Sequence, residues 1–498
     1  MFKVLFVTSE AHPLIKTGGL GDVSGSLPAT LQSLGCDVRL LLPAYRTVLD
    51  RLTSVSPVAQ LNLPQLVAPA RLLEGRFPGT GVTTWLVDYP PAYDRSGGPY
   101  LDPLGQPWGD NAGRFALLAR AAAAIALGQA GVSWQPDIVH ANDWQTGLTP
   151  VFMKDTYPRP ATVFTIHNLA YQGLFDQAEL GHLGLPWSLW TPDSLEFYGR
   201  LSFIKGGLVY SDMLSTVSPT YAREIQTPDL GFGLDGLLRH RADRLVGILN
   251  GIDDKEWDPQ HDSWIVRNYD AAHISAKRDN KRALQHEHGL DPDSQAPLVG
   301  MVSRLVRQKG VDLAISAVSY LLHARAQIVF LGNGERSYED ALRRLAARHP
   351  GRVAARIGYD EAAAHRIESA ADMFLMPSRF EPCGLNQLYS LRYGTVPIVR
   401  RVGGLADTVI DASEPNLRAG VATGIVFDGD DANALIAALG RAMSLYRNPS
   451  RWRSLVHCGM RQDFSWRASA QHYIDLYRSA RILHDHTIGK NQNPGASP

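Results

Sequence analysis

Short apolar, β-rich runs recur along the whole chain, and they limit its folding options more than any other feature. They stand at 4–7, 38–42, 84–87, 138–139, 162–166 and 214–217, and again at 298–302, 327–331, 353–357, 373–376 and 396–399. Longer stretches of helical character separate them. A strand that is apolar on both faces must be covered on both faces, so continuous apolar strands alternating with helices specify parallel, helix-covered sheets. The series exceeds the usual width of one sheet, so two doubly wound domains are expected. The boundary is expected at Asn250-Gly251-Ile252-Asp253, where the strand-like run 245–249 ends and a polar, charge-rich stretch continues to about Lys281. The expected division is residues 1–248, residues 249–465, a C-terminal helix 466–488 returning to the first domain, and a Gly-, Asn-, Pro- and Ser-rich disordered tail 489–498. The apolar stretch from Ala121 follows Arg120 and reads as a core helix; Trp257 and Trp466 also read as core.

The residues able to do chemistry cluster just after the strands. Lys16-Thr17-Gly18-Gly19 follows the first run, His140 and Asp143 another, and His167 and Asn168 the next. In the second half Arg304 and Lys309, Gly332 and Gly334, Tyr359, and Glu381 take equivalent places. Open α/β sheets bind ligands beyond the carboxyl ends of their strands. Two such sheets facing each other would put both sets in one cleft, a usual place for a small-molecule site.

The motifs differ in weight. KTGGLGDV (16–23) is a Gly-rich strand-to-helix loop carrying a cation; it fits neither a dinucleotide nor a P-loop pattern, and reads as a ligand loop or a plain tight turn. HANDWQTG (140–147) offers Asp143 either to a ligand or as a helix cap beside a packed Trp144. In HNLAYQG (167–173), His167 binds a sugar hydroxyl or the backbone. VSRLVRQKG (302–310) places Arg304 and Lys309 at a strand end, where two cations suit a diphosphate or are ordinary surface cations. PSRFEPCGLNQLYSLRYG (377–394) is the strongest segment. Pro382 suits a first helical turn, and Cys383, Gly384, Leu385 and Asn386 then offer N–H groups at a helix start, a natural phosphate site. Glu381 beside an anion site needs another task, such as meeting sugar hydroxyls or a positive anomeric centre, unless it only complements the helix dipole. GGLADTV (403–409) is a second anion or sugar contact, or a close packing turn.

Bulk composition excludes several classes. Lys+Arg and Asp+Glu both number 49 in 498 residues, so no global charge favours nucleic acid or an acidic membrane. No apolar run approaches the roughly 18 residues that span a bilayer, and MFKVLFVTSE reads as a buried strand. The three cysteines, Cys36, Cys383 and Cys458, fit neither a zinc site nor a disulfide framework, which points to a reducing, cytoplasmic setting. Asp428-Gly429-Asp430 matches the D-x-D of metal-dependent transferases, but reads as a turn with a helix cap. His484-Asp485-His486, beside the tail, carries no functional reading.

Taken together, the sequence resembles the bacterial and plastid glycogen/starch synthases. The matching stretches are KTGGLGDV, HNLAYQG, EFYGRLSFIKGGLVYSD (196–212), TVSPTYAREI (216–225), GILNGID (247–253), VSRLVRQKG, SRFEPCGLNQLYSLRYGTVPIVRRVGGLADTV (378–409) and DFSW (463–466). The resemblance implies a GT-B fold, two Rossmann-like domains facing across a deep cleft. It implies ADP-glucose as donor, an α-1,4-glucan as acceptor, retention at the anomeric carbon, and no metal or organic cofactor. By matching motif, Lys16, Gly18 and Gly19 lie near the donor's phosphates and sugar, and Asp22 and His167 line the glucose pocket. Asn250 comes from the NGID turn. Arg304 and Lys309 bind the diphosphate, Tyr359 stacks on adenine, and Glu381 meets the transferred glucose. Cys383, Gly384, Leu385 and Asn386 form the phosphate-binding turn. Two departures stand out: the family usually has Thr at the place of Asn386, and often His at the place of Asn142.

Overall fold

The computed structural model describes residues 1–293 and 295–492, with side chains through residue 486. The chain forms two compact units. The first comprises Met1–Val217, Ala222–Gly251 and the segment from Trp466 onward; the second comprises Ser218–Tyr221 and Ile252–Ser465.

The first unit is built on a nine-stranded sheet. Its order is Leu245–Gly247, Met213–Thr216, Ala161–Ile166, Ile138–Asn142, Lys3–Val7, Asp37–Pro43, Thr83–Asp88, Ala70–Arg76 and Ser56–Leu61. The strands from Leu245–Gly247 to Thr83–Asp88 are all parallel. Ala70–Arg76 and Ser56–Leu61 add an antiparallel edge that the apolar-run reading passed over. The outermost strand explains why: Ser56–Leu61 is exposed along most of its length and has no continuous apolar signature. Strand order reverses at Lys3–Val7, whose neighbours come from the next β-α unit on one side and from residues 138–142 on the other. That reversal opens a crevice at the carboxyl ends.

Helix Asn111–Ala126 is buried along nearly its whole length, as the alanine run implied. The C-terminal helix, Trp466–Gln492, belongs to this unit and adds Trp466, Ala470, Tyr473 and Tyr477 to its core. It runs to Gln492, past the expected end at 488, so 489–492 are helical and not part of a tail; 493–498 lie outside the described residues. His140, which follows no strand but sits inside one, is fully buried. Its Nδ1 lies 2.8 Å from the Tyr477 hydroxyl and its Nε2 2.6 Å from Thr165 Oγ1, so it ties the C-terminal helix to the sheet. His484 is likewise structural: it is buried, with Nε2 2.9 Å from the Arg159 carbonyl.

The second unit carries six parallel strands in the order Val353–Ile357, Gln327–Gly332, Leu298–Val302, Met373–Met376, Val396–Arg400, Ile425–Phe427. In chain order this is 3-2-1-4-5-6, the doubly wound nucleotide-binding arrangement. The switch point falls between Leu298–Val302 and Met373–Met376, so the loops carrying Arg304, Lys309 and Glu381 flank one crevice. Trp257 is core, stacked between His365 and Tyr389. Cys36, Cys383 and Cys458 are buried thiols. Among the described residues, no helix is long and apolar enough to cross a membrane.

Candidate active site

In the first unit, the loop after Lys3–Val7 leads into helix Gly19–Ser33, with Gly18 as its cap residue. Lys16 Nζ lies 2.8 Å from Asp22 Oδ1, so cation and carboxylate face one another across the first turn. A Cβ at Gly18 or Gly19 would meet no described atom within 4 Å. Packing therefore does not demand these glycines, and bare backbone is left where a ligand can approach.

Glu10 clamps this loop. It is 3% exposed, and its carboxylate accepts from Thr17 N at 2.5 Å, Thr17 Oγ1 at 2.5 Å, Gly18 N at 3.2 Å and the Tyr100 hydroxyl. A charged acceptor with four donors is a strong local anchor. It fixes the backbone that carries Lys16.

The loops after the next two strands meet at His167. Its Nε2 lies 3.0 Å from Asn142 Oδ1, while Asn142 Nδ2 donates to Val7 O at 3.1 Å. The Asn142 carbonyl oxygen can only accept, so Nε2 carries the proton and Nδ1 keeps its lone pair. Burial pushes the His167 pKa down to about 3, so the ring is neutral at pH 7. His167 therefore bonds a neighbouring side chain and not the backbone, and Asn142, the family departure, is what orients it. Asp143 adopts φ +60 and makes no side-chain cap bond, so the capping reading fails. Instead its Oδ1 accepts from His167 N at 3.3 Å, and burial pushes its carboxyl up to about 8, against the opposing pull of backbone N–H donors. Asn250 is 5% exposed, and its Oδ1 is buried with no hydrogen-bond partner. A buried acceptor without a donor is costly unless something else fills the role.

In the second unit, the Lys309 ammonium lies 2.5 Å from Glu381 Oε2, and Ser378 Oγ donates to the same oxygen at 3.0 Å. The two charged side chains are only 19% and 7% exposed. Close backbone contacts hold this pair. Gly310 has φ +67, and a Cβ there would sit 2.1 Å from the Pro377 carbonyl oxygen, so the two switch-point loops touch through a glycine. Gly403 has φ +42, and a Cβ there would lie 1.9 Å from the Glu381 carbonyl; Gly404 N donates to that carbonyl at 3.1 Å. GGLADTV, helical over Gly403–Thr408, thus packs against the backbone of Glu381. Arg379 adds a brace, with 2.8 Å bonds to both carboxylate oxygens of Asp312.

The helix expected after Pro382 begins later. It spans Asn386–Arg392, seven residues, so Pro382 is not in its first turn and Cys383–Leu385 form a turn that precedes it. The reason is local: Gly384 takes φ +73, which an α-helix cannot include. Asn386 Nδ2 donates to Val302 O at 2.6 Å, tying the helix start to the end of the strand before Arg304. Arg304 is exposed, and Tyr359 is 72% exposed with its hydroxyl on Glu361. Asp428 and Asp430 do not converge on a shared point: Asp428 pairs with Arg401 at 2.7 Å and Asp430 with Arg379 at 3.2 Å.

Residues 3–240 match the family model described as the starch synthase catalytic domain, and residues 285–454 match glycosyl transferases group 1. The glycogen synthase 2 of Nitrosococcus oceani is 53% identical over 96% of this chain and 97% of its own. The glycogen synthase 1 of Methylococcus capsulatus is 54% identical over 96% of each. The chain belongs to the glycogen synthase family. The catalytic domain of starch synthase IV from Arabidopsis thaliana, solved bound to ADP and acarbose, superposes with a TM-score of 0.87 at 32% identity, covering 97% of this chain and 99% of that one. A sucrose-phosphate synthase from Thermosynechococcus elongatus, 19% identical with a TM-score of 0.58, shares the fold alone. This member of the glycogen synthase family is accordingly a glycosyltransferase of GT-B fold with two Rossmann-like units.

Within the first unit of this glycogen synthase-family chain, the expected residues Lys16, Gly18, Gly19 and Asp22 share one loop and helix start, and His167 stands with Asn142 and Asp143 at the next strand ends. In the second unit, Lys309, Glu381 and the Cys383–Asn386 turn share the switch point. Glu10 was missed. Its only sequence signal was an acidic residue three places past the first apolar run, and nothing in the sequence tells that it folds back on Thr17 and Gly18.

Proposed function

We propose that the enzyme transfers glucose from ADP-glucose to the non-reducing end of an α-1,4-glucan, with retention at the anomeric carbon and release of ADP, in the cytoplasm. The observation that carries this reading is the buried Lys309–Glu381 pair at the switch point of a nucleotide-type sheet. A cation and a carboxylate are held together where a diphosphate and its sugar would meet. In this reading the first unit supplies the acceptor side and glucose pocket, and the second binds the nucleotide sugar.

Each group then has a task. Arg304, Lys309 and the N–H groups of the Cys383–Asn386 turn stabilise the negative charge that grows on the departing diphosphate. Lys309 balances Glu381 in the resting enzyme and shares its charge with the diphosphate when donor binds. Glu381 orients the sugar and supports positive charge at the anomeric carbon. Lys16, Gly18 and Gly19 approach phosphate and sugar, Asp22 and neutral His167 hydrogen-bond glucose hydroxyls, Asn250 offers its unpaired acceptor, and Tyr359 gives adenine a face. The C1–O bond to diphosphate breaks as the acceptor O4 bonds to C1 on the same side, and the O4 proton passes to the leaving phosphate oxygen. Same-face attack is preferred to a glycosyl-Glu381 intermediate because Lys309 and Ser378 both hold Oε2, which weakens the carboxylate as a nucleophile.

The test is a donor panel of ADP-, UDP- and GDP-glucose with glycogen as acceptor. ADP-glucose is expected to exceed the others by at least about tenfold in kcat/KM, the scale of one good contact, and NMR of the product should show new α-1,4 linkages. Equal kcat/KM for ADP- and UDP-glucose would reject the donor assignment.

A further inference from the structure

One side-chain cluster in the second unit has no part in this chemistry. His365, on helix Glu361–Ala370, is 0% exposed. Its Nδ1 lies 2.8 Å from Asp262 Oδ2, an oxygen that also accepts from the Tyr393 hydroxyl at 2.6 Å. Its ring stacks on Trp257 with centroids 3.8 Å apart and planes 15° apart. The carboxylate therefore fixes the tautomer with the proton on Nδ1, and the stack fixes the plane. Nε2 is left with its lone pair, buried and without a hydrogen-bond partner. A buried acceptor so held and left unpaired calls for an occupant.

Two carboxylates stand beside it. Glu361 precedes His365 by one helical turn on the same face, and Glu256 adjoins Trp257 in sequence. One carboxylate oxygen from each glutamate and one ring nitrogen of His365 lie within 4.8 Å of one another. Both glutamates are half-buried, and Glu361 also accepts from the Tyr359 hydroxyl.

We infer that Glu256, Glu361 and His365 form a site for one divalent transition-metal ion of the zinc class, with Asp262 orienting the imidazole. An imidazole nitrogen with two carboxylate oxygens suits such an ion and not magnesium or calcium, which take oxygen ligands alone. A histidine ligand whose other nitrogen is held by a carboxylate is the usual supporting arrangement. Tetrahedral bonds of about 2.0–2.2 Å need ligand atoms about 3.3 Å apart, so small rotations of two half-buried glutamates close the set. The fourth position is left to water. None of the three ligands belongs to the set assigned to the donor, so the ion's role is to cross-link the start of helix Glu361–Ala370 to the segment that enters the second unit at Ile252. It is a stabilising site, and the glucosyl transfer does not pass through it.

The experiment uses the full chain, stripped with chelator and titrated with Zn²⁺ by calorimetry and with Co²⁺ by visible absorption. The expected results are one equivalent of tightly bound metal, a d–d spectrum of low coordination number, and a rise in melting temperature with Zn²⁺. Glu256→Gln and Glu361→Gln keep side-chain shape at half-buried positions. Each should weaken Zn²⁺ binding at least tenfold and abolish the thermal shift, while Glu256→Gln keeps wild-type glucan extension. Absence of a stoichiometric site overturns the inference, and so does one equivalent bound with the same affinity by both glutamine variants.

Discussion

Lys309→Ala is the most informative perturbation, because it separates what the cation does for the fold from what it does for the reaction. Lys309 Nζ and Glu381 Oε2 are 2.5 Å apart, with side chains 19% and 7% exposed. Removing one partner of a buried pair leaves the other charge uncompensated, at a cost of about 3–5 kcal/mol. Ser378 still donates to Glu381, so the lower end, about 3 kcal/mol, applies. For a unit of this size that corresponds to a fall in Tm of roughly 6–12 °C. In catalysis, the loss of a donor to the leaving group costs about 100- to 1000-fold in kcat. Adding Glu381→Gln to Lys309→Ala removes the orphaned charge, so the double variant should melt above the single one yet extend glycogen no faster. Differential scanning calorimetry and an ADP-release assay with glycogen measure the two effects. Lys309→Ala with wild-type Tm and kcat within tenfold of wild type would refute the reasoning. Strictly additive stability losses in the double variant would show that the pair is not coupled.

Three further outcomes are expected. Gly310→Ala should cost at least about 2 kcal/mol in chemical denaturation, because φ +67 disfavours a side chain and its Cβ would lie 2.1 Å from the Pro377 carbonyl oxygen; a change under 0.5 kcal/mol, the scale of a neutral surface substitution, would contradict the contact. Burial holds both His140 and His167 near pKa 3, below the unfolded value of about 6.5, so the unfolded chain binds more protons between these limits. Their contribution to stability should fall as pH drops below 6.5, by up to about 1.4 kcal/mol per unit for each ring, and the acid limb of the stability–pH profile should flatten in His140→Gln. Asp428→Asn combined with Asp430→Asn should leave kcat within about threefold, because the Asp428–Arg401 pair is exposed and of small energetic worth, and Arg379, the partner of Asp430, stays held by both carboxylate oxygens of Asp312; EDTA at 25 °C should likewise spare glucosyl transfer, and rescue of an EDTA-dead enzyme by magnesium would reverse that assignment.

The sequence by itself determined the architecture of the two sheets. Runs such as 4–7, 298–302 and 373–376 are apolar on both faces, which only a covered parallel sheet satisfies, and strands appear at each. It also set the candidate site residues beyond strand ends, since Lys16, His167, Lys309 and Glu381 each lie in the segment that follows such a run. The edge strand Ser56–Leu61 was not legible because an exposed edge needs no apolar pattern. The helix start at Asn386 was not legible because Pro382 suits a first turn and only the φ of Gly384 delays it. Tertiary structure alone decided the partners. Glu10 reaches Thr17 and Gly18 because the chain folds back after the first strand, and Asn142 turns to His167 because neighbouring strands lie in register. Lys309 meets Glu381, 72 residues away in sequence, because the strand order puts their two loops side by side at the switch point. Local sequence encodes periodicity and turn preference, which act over a few residues. The pairing of charges and the orphaning of Asn250 and His365 arise only when distant segments exclude water from the same place.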